Sequence, residues 1–218
     1  MQNGDFRSDE CVEFLKESDI VATNPPFSLF REFVSLLEKY NKKYIIIGNK
    51  NALTYKEIFS LIKSNKLWTG HRNINKDMWL ILPDDTEKWE KIKPVKDAYG
   101  LEQNRKIKHI MACWFTNLDI KKRHEDLILY EHYNEEKYPK YDNYDAINID
   151  KVTEIPCDYY GIMGVPITFL DKYNPEQFEI IGITNHGDMA GIPYTNDNCF
   201  AEINKKRLYV RIFIRRIK

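Results

Sequence analysis

The tetrapeptide at residues 24–27, Asn-Pro-Pro-Phe, combines residue types that can hold a flat molecule bearing an amino group. Two consecutive prolines stiffen the backbone and remove two N–H donors, so the Asn24 side-chain oxygen and nearby carbonyl groups meet no competing donor. Two converging acceptors suit an amino group, which has two hydrogens to donate. Phe27 offers an aromatic face for a planar ring. Asn24, Pro25, Pro26 and Phe27 therefore predict a clamp for an exocyclic amine on a flat heterocycle.

The sequence around this motif favours a ligand site over a purely structural turn with Phe27 in the core. Asp19–Thr23 is a short β-branched run that predicts a strand, and Ser28 can cap a helix that continues to about Asn41. In an α/β sheet, ligands bind outside the carboxyl ends of the strands. By composition, a polar-Pro-Pro-aromatic string arises by chance in about 1% of chains of this length.

The N-terminal half alternates predicted helices and strands. A helix over residues 8–16 precedes the strand Asp19–Thr23, and a buried-type strand follows over Lys43–Gly48. A capping box at Thr54–Glu57 predicts the start of another helix, and Met78–Leu82 predicts a further strand. This order predicts a doubly wound α/β sheet with right-handed crossovers.

The C-terminal half follows a different pattern after Pro83. Asp84–Arg105 is charged and loop-like, and Glu131–Asp150 predicts a long irregular segment because it has little apolar periodicity. In the last predicted strand, residues 208, 210, 212 and 214 occupy one face and residues 209, 211, 213 and 215 the other. The predicted strands are Ile107–Phe115, Ile167–Leu170, Phe178–Ile183 and Leu208–Ile214.

Composition excludes several classes of protein. The 218 residues are 43% hydrophobic and 30% charged, which is typical of a globular protein. Apolar runs such as Tyr44–Ile47 are too short to span a membrane, and Met1–Asp5 does not resemble a secretory signal, so we expect a cytoplasmic protein. The cysteines lie tens of residues apart, which predicts neither a disulfide framework nor a zinc site, and no metal is expected.

Charge is distributed unevenly within a net total of zero. Residues 203–218 contain seven basic side chains and no acidic one, whereas residues 131–160 contain eight acidic and three basic side chains. Such asymmetry can hide a polyanion-binding face, although a run of charges is usually only a solvated surface. The basic candidates for nucleic-acid contact in the last segment are Lys206, Arg207, Arg211 and Arg215.

Two other groups of polar residues carry weaker signals. Residues 185–188, Asn-His-Gly-Asp, predict a structural turn, because a metal site needs more ligands than this stretch supplies. His109, His124 and His132 lie in a partly basic region, which fits phosphate contact and solvated surface equally well.

The stretch from Asp19 to Ser28 resembles the catalytic loop of S-adenosylmethionine-dependent amino methyltransferases. Five further stretches narrow the resemblance to the EcoRI-type adenine-specific DNA methyltransferases and extend it over most of the chain. They are Gly4–Arg7, Tyr44–Ala52, Met163–Leu170, Asn174–Gly182 and the basic C-terminal strand.

The resemblance implies an architecture and a mechanism. Residues 1–115 would form an incomplete Rossmann-like class I methyltransferase domain, and residues 116–218 a β-rich target-recognition region that binds double-stranded DNA. Asn24 and the Pro25 carbonyl would accept hydrogen bonds from the N6 amine of a flipped adenine, and Phe27 would stack on the base. That amine would attack the methyl group of S-adenosylmethionine without a general base.

The resemblance also assigns cofactor contacts and leaves questions open. Asp5 and Phe6 match the acidic-aromatic pair that contacts the cofactor's adenine in similar enzymes. The chain lacks any Gly-x-Gly turn, and Asn3–Asp5 already corresponds to the third strand of such domains. A truncated reading frame or expressed fragment, a separate N-terminal polypeptide, and lost catalysis would each explain this departure.

The sequence therefore leaves several functions open. An incomplete domain of this kind should expose a hydrophobic sheet edge and associate with another polypeptide or with itself. A similar amine clamp would also serve methylation of RNA or of a protein glutamine. A fragment or subunit that binds nucleic acid without catalysis is the alternative outside enzymes.

Overall fold

A computed structural model describes residues 4–76, 78–83, 107–184 and 200–218. The predicted loop at Asp84–Arg105 and the predicted turn at residues 185–188 lie outside the described residues. In the described part of the chain, every helix is too short or too polar to cross a membrane.

The described α-helices all belong to the N-terminal region: α1 (Asp9–Glu17), α2 (Phe30–Lys39) and α3 (Lys56–Lys63). The Ser8 side chain caps α1 by accepting a hydrogen bond from the Cys11 N–H at 3.3 Å. The predicted helices are thus confirmed, but the predicted capping box at residue 54 is wrong. Thr54 instead closes a 3-10 turn, since its hydroxyl donates to the Asn51 carbonyl at 2.9 Å.

Twelve strands are described, numbered in chain order. They are β1 (Ile20–Thr23), β2 (Lys43–Asn49), β3 (Trp68–Thr69), β4 (Met78–Ile81), β5 (Ile107–Ile110), β6 (Ala112–Thr116), β7 (Ile147–Asn148), β8 (Met163–Pro166), β9 (Phe178–Ile183), β10 (Glu202–Ile203), β11 (Lys206–Arg207) and β12 (Arg211–Arg216).

The first sheet has the order β1-β2-β6-β3 and is mixed. β1 and β2 are parallel, connected through α2, whereas β6 runs antiparallel to both β2 and β3. The α/β class is confirmed, but the predicted doubly wound continuation through Met78–Leu82 is wrong, because β4 pairs only with β5 in a separate antiparallel ribbon. Leu80 and Ile81 are exposed there, whereas a central parallel strand is buried on both faces.

The predicted strand Ile107–Phe115 divides into two strands of different sheets. The break falls at Met111, whose side chain is exposed and whose carbonyl accepts the Lys50 N–H at 3.0 Å. β5 before the break joins the ribbon, and β6 after it enters the first sheet. A sequence pattern cannot separate these two pairings, because both halves are rich in apolar residues.

The second sheet has the order β7-β8-β12-β9. The predicted strand Phe178–Ile183 is confirmed as β9, but Ile167–Leu170 forms a 3-10 turn that extends to Asp171. The strand of this region is β8, which ends at Pro166, a residue without the N–H that would continue the ladder. The predicted strand Leu208–Ile214 begins later, at Arg211, and continues to Arg216.

The middle of β12 is buried on both faces of the strand, in agreement with the predicted alternation, whereas Arg215 is exposed. Ile212 and Ile214 belong to the main hydrophobic cluster. Phe213 points to a second cluster and lies 5.6 Å from the Tyr141 ring and 5.0 Å from the Tyr144 ring, measured between centroids. The segment predicted as irregular, Glu131–Asp150, supplies these tyrosines, so it is packed although it is mostly without regular structure.

The two sheets share one hydrophobic cluster and are connected by a buried carboxylate. Both Asp171 oxygens accept the Ile74 N–H at 2.9 Å, and Lys122 lies 3.9 Å from one of them. Burial raises the pKa of Asp171 above its usual range. The proposed division between residues 115 and 116 falls inside β6 and remains a prediction.

Candidate active site

The Asn-Pro-Pro-Phe motif connects the carboxyl end of β1 to the start of α2, as its flanks predict. β1 ends at Thr23, and a 3-10 turn over Phe27–Leu29 leads into the helix. The Pro26 carbonyl accepts the Leu29 N–H at 3.0 Å and closes this turn. The loop is thereby rigid, and it lies at the position where ligands approach an α/β sheet.

Within the loop, one residue is buried and the others are exposed. Pro25 is buried, whereas Asn24 and Pro26 are exposed and Phe27 is 37% exposed. Phe27 belongs to neither described hydrophobic cluster, so the interpretation that places it in the core is wrong. No residue in the described part of the chain hydrogen-bonds the Asn24 side chain. The side-chain oxygen of Asn24, a hydrogen-bond acceptor, and the aromatic ring of Phe27 are therefore both exposed to solvent.

Asp5, predicted to contact the cofactor, is held by its neighbour Arg7. The Arg7 guanidinium donates to both carboxylate oxygens, at 3.0 Å from Nε and 2.7 Å from Nη2, and its main-chain N–H donates at 2.9 Å. These hydrogen bonds lower the pKa of Asp5 to about 2. Arg7 also contacts Glu32 of α2 at 3.1 Å, which connects this segment to the helix that follows the motif.

Phe6, the second predicted cofactor residue, lies between this segment and α2. Its ring packs edge-on against Phe33, with 5.1 Å between the centroids. Phe6, Gly4 and Thr23 line one shallow cavity of about 450 Å³ that runs between α1 and β1. Asn24 follows Thr23 directly, so Phe6 lies in a cavity next to the Asn24–Phe27 loop, whereas Asp5 does not line that cavity.

The same cavity has an apolar wall formed by large hydrophobic side chains that are exposed. Phe14 of α1 is 64% exposed, and Ile20 at the start of β1 is 54% exposed. β1 pairs with β2 on one side, and no strand among residues 4–76, 78–83, 107–184 and 200–218 pairs with its other side. The edge of the first sheet is thus open where the candidate site lies.

The predicted basic residues fall into two groups. Lys206 and Arg207 are exposed on the hairpin of β10 and β11, where the Arg207 guanidinium lies 5.0 Å from the Phe200 ring centroid and 3.6 Å from Glu202. Arg215 is exposed as well and lies 3.8 Å from Glu179. These three side chains can reach a polyanion, although two of them are also partly neutralised.

Arg211 has a different environment from the other three. Its side chain is 12% exposed; its Nε donates to Asn148 Oδ1 at 3.1 Å, and Asp150 lies 3.6 Å away. The Tyr141 hydroxyl donates to the same Asn148 oxygen at 2.8 Å. This network weighs against direct phosphate contact by Arg211, whose predicted role in DNA binding remains a prediction.

The predicted histidines are distributed over the surface. His124 contacts Asp119 at 2.8 Å, which lowers the pKa of that carboxyl, and the His109 ring packs on Trp79. His132 lies next to Cys157 and Asp158, a grouping that sequence spacing did not reveal because its members come from two distant segments. No short motif signals such a cluster.

The structure therefore describes an α/β protein with the Asn24–Phe27 loop exposed between a strand and a helix. Comparison with known proteins then gives the family: the model of the EcoRI adenine-specific methyltransferase family matches residues 1–217. The chain belongs to this family. No solved structure gives a significant match.

Three curated relatives carry the family's activity in their names. The chain is 49% identical over 221 residues to the type II methyltransferase M.EcoRI of Escherichia coli, covering 98% of this chain and 62% of that protein. It is 39% identical to M.MgeORF184P of Mycoplasma genitalium and to M.MpnI of Mycoplasma pneumoniae, covering 98% of this chain and 69% of each. The chain thus spans between 62% and 69% of the length of these relatives.

Proposed function

We propose that this chain carries the amine-binding part of a restriction-modification DNA methyltransferase, which transfers a methyl group from S-adenosylmethionine to the N6 amine of adenine in double-stranded DNA. The observation that supports this most directly is the rigid, exposed Asn24–Phe27 loop at the carboxyl end of β1. Membership of the family supports the choice of adenine in DNA.

In this proposal the loop recognises the amine by accepting its two hydrogens. The Asn24 side-chain oxygen takes one, and the main-chain carbonyl of Pro25 takes the other, while Phe27 stacks on the flipped base. Positive charge develops on nitrogen as it is methylated, and both acceptors stabilise that charge from fixed positions. A general base is unnecessary, because the nitrogen lone pair is left free and the surplus proton departs after transfer.

The residues beside the loop fit a nucleoside-containing cofactor. S-adenosylmethionine supplies an activated methyl group when bound. The cavity of about 450 Å³ beside Thr23 lies within the size range of small-molecule sites. Phe6 provides an aromatic surface there, and Asp5 stays ionised because its pKa is about 2, so it can accept a hydrogen bond from an amino or hydroxyl group.

The open edge of β1 supports a proposal about the fold. A further parallel strand, from polypeptide of the kind that the longer relatives possess, would pair with β1, cover Phe14 and Ile20 and complete a Rossmann-like sheet. Self-association through the same edge is the competing outcome. Phe14→Glu should weaken either association as measured by light scattering, whereas Ile128→Glu, a change at an exposed residue elsewhere, should not.

Double-stranded DNA is the proposed substrate, and the cytoplasm, where bacterial DNA lies, is the proposed location. Lys206 and Arg207 on the exposed hairpin, together with Arg215, are the proposed phosphate contacts. Such contacts add affinity that falls with salt and does not depend on sequence.

The test is transfer of labelled methyl groups to unmethylated duplex DNA, with RNA at matched salt as the comparison. Asn24→Ala should reduce transfer by about 100-fold or more, because one of two fixed acceptors is lost. Asn51→Ala, a change at another exposed asparagine, is the matched control. Methyl label on RNA or on a protein glutamine would contradict the proposal. DNA binding without cofactor binding, unchanged in Asn24→Ala, would identify a non-catalytic subunit instead.

A further inference from the structure

Three potential metal ligands of different chemical types lie close together in the second half of the chain, away from the candidate active site. His132 Nδ1 lies 2.9 Å from Asp158 Oδ2 and 3.7 Å from Cys157 Sγ. The three donor atoms all lie within 4.8 Å of one another, and this is the only such His, Cys, Asp or Glu group found in the described part of the chain.

The two segments that bring these residues together are fixed by their main chains. Residues 131 and 156 form a parallel β-bridge, and the Cys157 N–H donates to the Glu131 carbonyl at 2.7 Å. The Tyr133 N–H donates to Asp158 Oδ1 at 2.7 Å, which directs the other carboxylate oxygen toward His132. A ligand oriented through its second oxygen by a main-chain N–H is typical of metal sites.

The nitrogen–sulfur distance agrees with the edge of a tetrahedral site. With metal–nitrogen and metal–sulfur bonds of about 2.1 and 2.3 Å, a tetrahedron separates nitrogen from sulfur by roughly 3.6 Å, close to the 3.7 Å observed. The nitrogen–oxygen pair at 2.9 Å must open by roughly 0.4 Å, which the exposed His132 side chain can accommodate. A solvent molecule completes the fourth position.

We propose that His132, Cys157 and Asp158 form a binding site for a divalent cation of the zinc type. An imidazole, a thiolate and a carboxylate are all ligands that this class of metal accepts, and the thiolate disfavours magnesium or calcium. Binding forms one metal–sulfur bond while the Cys157 thiol releases its proton to solvent. The neighbouring Arg216 guanidinium donates to the Cys157 carbonyl and Lys137 to Glu131, so both cations are directed to other oxygens.

The site would join the two ends of the segment between residues 132 and 157. That segment supplies Tyr141, Tyr144 and Asn148 to the second hydrophobic cluster and to the Arg211 network. Because a bound metal holds the ends of this loop together in the folded state only, zinc should stabilise the fold. The proposal does not depend on methyl transfer and is tested without it.

The probe is cobalt chloride alone, titrated into metal-free protein that carries no affinity tag. A thiolate-to-cobalt charge-transfer band should appear, saturate at one cobalt per chain and vanish when zinc chloride is added. Cys157→Ser should abolish this band, and His132→Asn should weaken cobalt binding at least about tenfold. Cys11→Ser and His124→Asn replace the same residue types elsewhere and should leave binding unchanged.

Each outcome decides the proposal. No charge-transfer band in the wild-type protein, or a band that survives Cys157→Ser, overturns it. Zinc should also raise the Tm of the wild-type protein and raise that of both ligand variants by less, which reports the site even if a variant is less stable. Equal Tm shifts in the wild type and in His132→Asn would show adventitious binding and overturn the proposal as well.

Discussion

The two sheets of this molecule differ in what they leave exposed. In the first sheet, β1 has an open edge in the described structure, and the residues from Ala22 to Asn24 are exposed. In the second sheet, β12 lies between β8 and β9, and Ile212, Phe213 and Ile214 are completely buried. The first sheet ends in an exposed loop, whereas the central strand of the second sheet is buried on both faces.

This difference shows where the chain keeps groups available for a ligand. Burying Phe27 would contribute to stability, yet Phe27 and Asn24 both remain exposed on a backbone that two prolines make rigid. The second sheet gains stability from the burial of its central strand β12. The proposed site thus lies on the less covered sheet, which shares a hydrophobic core with the more covered sheet.

The largest expected effect comes from a matched pair of phenylalanines, one in each region. Phe213→Ala should lower the free energy of unfolding by about 3–5 kcal/mol, because it leaves a cavity between the second sheet and Tyr141. Phe27→Ala should change it by less than about 0.5 kcal/mol, because the side chain is partly exposed. Denaturant unfolding of both variants measures the difference, and similar losses would contradict the assigned roles.

A glycine in β2 tests how tightly the closed side of the first sheet is packed. A Cβ at Gly48 would lie 2.5 Å from the Phe30 ring and 2.8 Å from the Phe115 ring, both of them buried. Gly48→Ala should therefore destabilise the fold by about 1–3 kcal/mol in thermal unfolding.

Gly4 provides the control on the open side of that sheet. A Cβ there meets no atom within 4 Å, and only its positive φ of 59° opposes substitution. Gly4→Ala should cost about 1 kcal/mol. A larger loss for Gly4→Ala than for Gly48→Ala would show that the cavity region is more tightly packed than the structure indicates.

The smallest expected effect concerns the ion pair beside the cavity. Arg7→Gln should raise the pKa of Asp5 from about 2 toward its usual value near 3.8, because the guanidinium hydrogen bonds are lost. Since the folded-state pKa is lowered, the stabilisation is present above pH 3.8 and disappears as pH falls toward 2. An NMR titration of the Asp5 carboxyl measures the shift, and an unchanged pKa would remove Arg7 as its cause.

Local patterns predicted the elements that form through contacts near in sequence. The helix after Ser28 has apolar residues at helical spacing, and Phe30, Phe33 and Leu37 are indeed buried along one side. Lys43–Gly48 reads as a strand because its apolar run is β-branched and ends at a glycine. The predicted strand Asp19–Thr23 and the helix after Ser28 placed the Asn24–Phe27 motif in the loop between them, where the structure has it.

Pairing partners could not be predicted in the same way. β4 has the composition of a strand in the first sheet. It lies outside that sheet because it pairs with β5. Ile167–Leu170 is as apolar as a strand but forms a 3-10 turn. The last residue of this turn, Asp171, accepts a hydrogen bond from the distant Ile74 N–H. Such choices depend on residues tens to about a hundred positions apart, which no local period encodes.

The sequence by itself determined the family, the α/β class and the loop that carries the proposed chemistry, because these depend on short motifs and on local hydrophobic periodicity. Only the tertiary structure decided that Arg211 is half-buried while Lys206 is exposed, and that His132 meets Cys157. Burial and convergence arise when distant segments pack together. They are properties of the folded chain that residue types in sequence order do not contain.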